Sequence, residues 1–181
     1  MNSRAGCAVH GGGAMNSHAR ARESAPVGPA LRVINDAEGL LLASFGPVLV
    51  AWWTSKPTPE TFELQRSELE ARVQANPGRQ LFMCVVSASA PPPEQAERDA
   101  SSKMITVHGD QLAGCACVIE GQGFRAAITR TVLTGIVLLI RTPSPVVFFE
   151  NVAEAQIWLQ SRATRTNLTD LASELERLRA G

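Results

Sequence analysis

Apolar residues along this chain fall into two patterns. Short, nearly continuous apolar runs alternate with longer stretches in which apolar positions recur every three or four residues. The first runs are 31–34 (LRVI), 39–45 (GLLLASF) and 47–54 (PVLVAWWT). Each is rich in side chains that suit a pleated sheet, and Gly46 with Pro47 reads as a tight turn between the last two. These segments predict an antiparallel opening to a sheet. A helix follows. Thr58 is placed to cap it, Pro59 suits its first position and Glu60 favours its positive end. Phe62, Leu69 and Val73 then share one face, and Asn76, Pro77 and Gly78 end it.

The pattern then repeats. Residues 81–86 (LFMCVV) read as a strand covered on both faces, as parallel strands are. Pro91, Pro92 and Pro93 break the chain before a second helix, about 94–107. Residues 113–119 form the next strand, and Gly121, Gln122 and Gly123 turn the chain into a third helix, about 123–141. Residues 145–149 form the last strand. Asn151 caps a fourth helix carrying Val152, Ala155, Ile157, Trp158 and Leu159, with Trp158 expected as a core anchor. Strand and helix alternate from the third strand onward, which predicts an α/β fold with a mixed, mostly parallel sheet flanked by helices. A final helix, about 168–179, carries Leu168, Leu171, Leu175 and Leu178 on one stripe. That stripe either docks on its own domain or covers a partner, including a second copy of the chain in a homodimer.

Residues 1–30 hold almost no large apolar side chains, so they cannot offset their ordering entropy and are expected to form a disordered arm, with translation starting at Met1 or Met15. The expected organisation is thus an arm over 1–30, an α/β domain over 31–162 and a C-terminal amphipathic helix over 163–181. The arm lacks the apolar run of a signal peptide, although Arg4, Ala5, Gly6 and Cys7 faintly echo a lipoprotein signal. Val132–Ile140 is too short for a membrane span. Seventeen basic residues balance seventeen acidic ones, which removes any general attraction to nucleic-acid backbones or anionic membranes. Four cysteines are too few for a disulfide framework, so a reducing, cytoplasmic location is expected.

Three stretches in the C-terminal half carry a family likeness: 119–127 (IEGQGFRAA), 133–135 (LTG) and 147–159 (VFFENVAEAQIWL). They resemble STAS-like proteins of the anti-sigma-factor-antagonist fold. The resemblance follows element order over about 31–162. It implies a small non-enzymatic switch or scaffold module that binds protein partners. Members of that group carry a phosphorylatable Ser or Thr where a central strand meets the second helix. The matching junction here offers Ser87 and Ser89 as candidate phosphoacceptors, without the Asp and Gly of the usual motif. Asp99 with Ser101 and Ser102 echoes that motif inside the predicted second helix. The CRAL-TRIO lipid-binding group, a more distant relative of the fold, keeps small-ligand binding open.

Candidate chemistry is sparse. Cys115 and Cys117 lie on one face of a strand, and Cys84 and His108 are the only further donors in the folded part. Four ligands at structural-zinc spacings do not emerge, so core cysteines are expected and no metal or cofactor. Of the three histidines, His10 and His18 lie in the arm, and no nucleophile elbow accompanies His108, so no catalytic residues are expected. Gly121, Gly123, Phe124 and Arg125 open a helix after a strand and form either a tight turn or a site for a small anionic or lipid-like ligand. Trp52 and Trp53, adjacent on one strand, face opposite sides of the sheet, and one of them is either helix-covered or at an interface.

Overall fold

The computed structural model describes residues 29–121 and 144–180, with positions 127, 128, 130, 131, 134 and 135 between them. Six strands form one sheet: β1 (Leu31–Ala37), β2 (Leu40–Phe45), β3 (Val48–Trp53), β4 (Gln80–Val86), β5 (Leu112–Ile119) and β6 (Val146–Phe149). Among the described residues, four helices can be bounded beside them: α1 (Pro59–Ala75), α2 (Gln95–His108), α3 (Val152–Gln160) and α4 (Leu171–Ala180). A 3₁₀ turn, Gly109–Gln111, leads from α2 into β5. The predicted third helix lies largely outside the described residues, and the described positions within it are helical.

The strands lie in chain order, β1 to β6. The first two pairings are antiparallel and the next three parallel, which gives the mixed, mostly parallel α/β sheet expected from the pattern. The β1–β2 hairpin turns through Glu38 and Gly39, both at positive φ, as a tight turn matched to strand twist requires. A Cβ on Gly39 would meet Ser55 Oγ at 1.7 Å, so the position takes only glycine. Gly46 and Pro47 make the second turn, as predicted. Helix α1 starts with a reciprocal cap: Thr58 Oγ1 accepts from Thr61 N at 3.3 Å, and Thr61 Oγ1 accepts from Thr58 N at 2.9 Å.

Both faces of the sheet are covered. Because successive crossovers advance in the same direction, helices of the same hand fall on the same side. Leu69 and Val73 of α1 and Met104 of α2 therefore pack with Leu49, Ala51, Trp53 and Phe82 on one face. The other face, with Val50, Trp52, Met83, Val85 and Val118, receives Val152, Ala155 and Leu159 of α3 and then Leu168, Leu171 and Leu175. Three of the four stripe leucines are thus spent inside the fold, and Leu178 is half-buried. Leu168, Leu171 and Leu175 are fully buried, so these leucines offer a second copy of the chain no apolar surface.

Trp52 and Trp53 point to opposite faces and both are covered by helices, at 3% and 5% exposure, which is the helix-covered alternative of the two. Trp158, expected as a core anchor, is only half-buried. Its ring lies over Gly114, where a Cβ would come within 2.8 Å, and is flanked by Arg162 at 4.3 Å and Phe149 at 5.7 Å. Helix α3 buries Val152, Ala155 and Leu159 instead, which leaves Ile157 70% exposed.

Candidate functional site

On the α1/α2 face, the side chains at the middle of the sheet are small. Ala51 of β3, Cys84 of β4 and Cys117 of β5 lie side by side, since Ala51 pairs with Cys84 and Cys84 with Cys117. Larger residues surround them: Trp53, Phe82, Phe62 of α1 and Met104 of α2. Cys84 and Cys117 on the floor and larger side chains on the walls leave a cleft of ≈ 90 Å³ between the two helices and the sheet. Phe148 of β6 lines one side, and Ala90 with the three prolines 91–93 lines the mouth. Cys84 and Cys117 consequently keep some accessible surface, although Met83, Val85, Ala116 and Val118, their chain neighbours, have none.

The polar groups of the cleft are few. Gln65 of α1 is 2% exposed. Its Oε1 accepts from Trp53 Nε1 at 3.1 Å, and its Nε2 donates to Met104 Sδ at 3.0 Å. At the mouth, Lys56 Nζ lies 2.8 Å from Glu94 and 3.7 Å from Glu97. The hydrogen bond that Lys56 Nζ donates to Glu94 raises the Lys56 pKa. Glu97 Oε2 also accepts from Glu94 N at 2.6 Å and so closes the start of α2.

The thiols of Cys84 and Cys117 stay protonated at neutral pH. Burial, followed by the neighbouring Cys117, pushes the Cys84 thiol far above its ordinary range. Cys117 is raised by its contact with Cys115, whose Sγ is 3.9 Å away, and by burial. A protonated thiol is a poor nucleophile and a poor metal ligand, so Cys84 and Cys117 present soft apolar surface to the cleft. No group of three or more His, Cys, Asp or Glu that could hold a metal ion occurs among the described residues. His108 is buried at the end of α2. Cys7, His10 and His18 lie outside the described residues.

Two other sequence-predicted features meet at the carboxyl edge of the parallel strands, where open α/β sheets hold their ligands. Ser87 is buried and Ser89 exposed in the loop after β4. Their Oγ atoms are 3.1 Å apart, and Ser89 Oγ donates to Thr54 O at 3.2 Å. Gly121, at φ +91°, abuts that loop: a Cβ there would lie 2.9 Å from Ala88 Cβ. Gly123, Phe124 and Arg125 lie outside the described residues.

No protein-family model matches the chain, and no curated protein matches it. Among the described residues, no helix is long and apolar enough to cross a membrane. The cleft was missed by sequence reasoning. Its signal was present as small residues on one face of two adjacent strands, at 84 and 117.

Proposed function

We propose that the chain is a non-enzymatic, small-ligand-binding regulatory module that takes a compact, mostly apolar molecule into the cleft between α1, α2 and the sheet. One observation carries this reading: Cys84 and Cys117 keep accessible surface near the centre of the sheet, while Ala51, Phe82 and Cys115 beside them on the same face are closed. Interiors normally pack at crystal density, so a reachable void at the sheet centre needs an occupant or a reason. Its volume is below the ~150 Å³ of a cavity that accepts benzene. The ligand is therefore a small ring or short chain, with any remainder held at the mouth. Free thiols only 3.9 Å apart at Cys115 and Cys117 fit a reducing, cytoplasmic setting.

The test is calorimetric. A C6 hydrocarbon such as methylenecyclopentane is expected to raise the melting temperature through linkage, with a shift that grows as the logarithm of its concentration once the site is filled. The response is expected to vanish in Cys84→Ile, which fills the floor. A wild-type protein indifferent to hydrocarbons of this size would sink the reading.

A second reading is favoured by the edge geometry. A STAS-like interaction module would present an exposed hydroxyl at the junction between β4 and α2, and Ser89 stands there. The β–α winding with strands in chain order supports that analogy of fold. A Ser89→Glu variant that binds the same cellular partners as wild type would remove the phosphoacceptor part of it.

A further inference from the structure

The cleft contains one buried donor that the fold leaves underused. The Trp53 indole can only donate, so it fixes the orientation of the Gln65 amide: Oε1 faces Trp53 and Nε2 faces Met104. That NH₂ carries two hydrogens. One goes to the Met104 thioether, a weak acceptor, and the other has no partner among the described residues. A buried amide donor held this poorly is costly, because it has given up water for a thioether. Gln65 and Met104 both line the cleft.

We infer that Gln65 is the recognition residue of this cleft, and that the ligand carries a carbonyl-type oxygen which accepts from Gln65 Nε2. The inference rests on the cleft being a ligand site and adds the class of molecule: compact, apolar and neutral, with one oxygen acceptor. Charge is not asked of it. The nearby cation, Lys56, is engaged by Glu94 and Glu97 at the mouth, and the interior offers only the amide and protonated thiols. Met104 holds the donor in place while the site is empty and yields it to the oxygen.

The probes are an isosteric pair, cyclopentanone and methylenecyclopentane, titrated against the full chain by ligand-observed NMR. Gln65→Met is expected to weaken cyclopentanone binding by about tenfold and leave the alkene within about twofold, the scale of one buried hydrogen bond. That variant also removes the acceptor of Trp53 Nε1 and so risks the fold. Met104→Leu conserves volume and leaves Gln65 intact. It frees the amide from its thioether and is expected to tighten cyclopentanone several-fold without changing the alkene. Equal changes for both probes in Gln65→Met, or no tightening in Met104→Leu, would overturn the assignment of Gln65. Failure of both probes to bind wild type would instead overturn the cleft as a ligand site.

Discussion

Replacing Cys84 with isoleucine tests whether the cleft is real empty space. Cys84 sits mid-strand in β4 with its side chain on the cleft floor, and β-branched residues suit that backbone. Isoleucine exchanges the sulfur for a methyl-bearing branch and adds two carbons. At about 0.8 kcal/mol per buried CH₂, the upper gain is about 1.6 kcal/mol. An independent bound comes from the void itself. At about 24 cal/mol per Å³, an unfilled ≈ 90 Å³ costs about 2 kcal/mol, which filling could recover at most. Some restriction of the new side chain offsets this, so the expected net stabilisation is about 1 kcal/mol. Urea unfolding at 25 °C should show it as a higher midpoint with an unchanged slope. In a tightly packed core the same substitution would overpack and cost about 1–3 kcal/mol. A loss of that size, with the slope preserved, would refute the reasoning that the thiols face usable space.

Three further outcomes follow from the structure. The raised folded-state values of Cys84 and Cys117 contribute stability that is fully present below the ordinary thiol value of 9.0 and is lost as pH climbs past it, because only the unfolded chain then releases those protons. Each thiol should cost up to about 1.4 kcal/mol per pH unit above 9, and in a pH series of urea midpoints Cys84→Ile should lose one of the two increments. Leu175→Ala should destabilise by about 2–5 kcal/mol in the same assay, since Leu175 is fully buried between α4 and the sheet; a loss below about 0.5 kcal/mol, typical of a surface site, would mean the helix is not docked. Thr58→Ala should cost about 1 kcal/mol by removing half of the reciprocal cap on α1, visible as a lower melting temperature with no change in ligand response.

The order of elements was legible because each apolar run is bounded by a residue that cannot continue it: Gly46 and Pro47, the prolines 91–93, Asn151. Boundaries shifted where tertiary partners extended an element. The run of β1 was read only to Ile34, yet the strand reaches Ala37, held in part by Asn35 Nδ2, which donates to Leu40 O at 2.8 Å. The leucine stripe was legible as an amphipathic helix, but not its destination, because covering surface can come from either the same chain or another. Trp158 was placed on the right helix and at the wrong depth. Gly114, on a strand some forty positions earlier, decides how its ring lies, and no local pattern carries that distance. The cleft is harder still. A void is the difference between where two helices and a sheet are held, so periodicity reports its floor only as the small residues Cys84 and Cys117.

Strand order has a consequence for how the molecule is assembled. Every strand hydrogen-bonds to the one made immediately before it, so the sheet can be laid down vectorially as the polypeptide emerges, without waiting for distant segments. The α1/α2 side is sealed progressively along the way. The opposite side is not: Trp52, Met83 and Val85 have no cover until residues 152–175 exist. The last sixth of the chain is therefore the step that hides an exposed greasy surface, and interruption before it would leave an otherwise complete sheet prone to self-association.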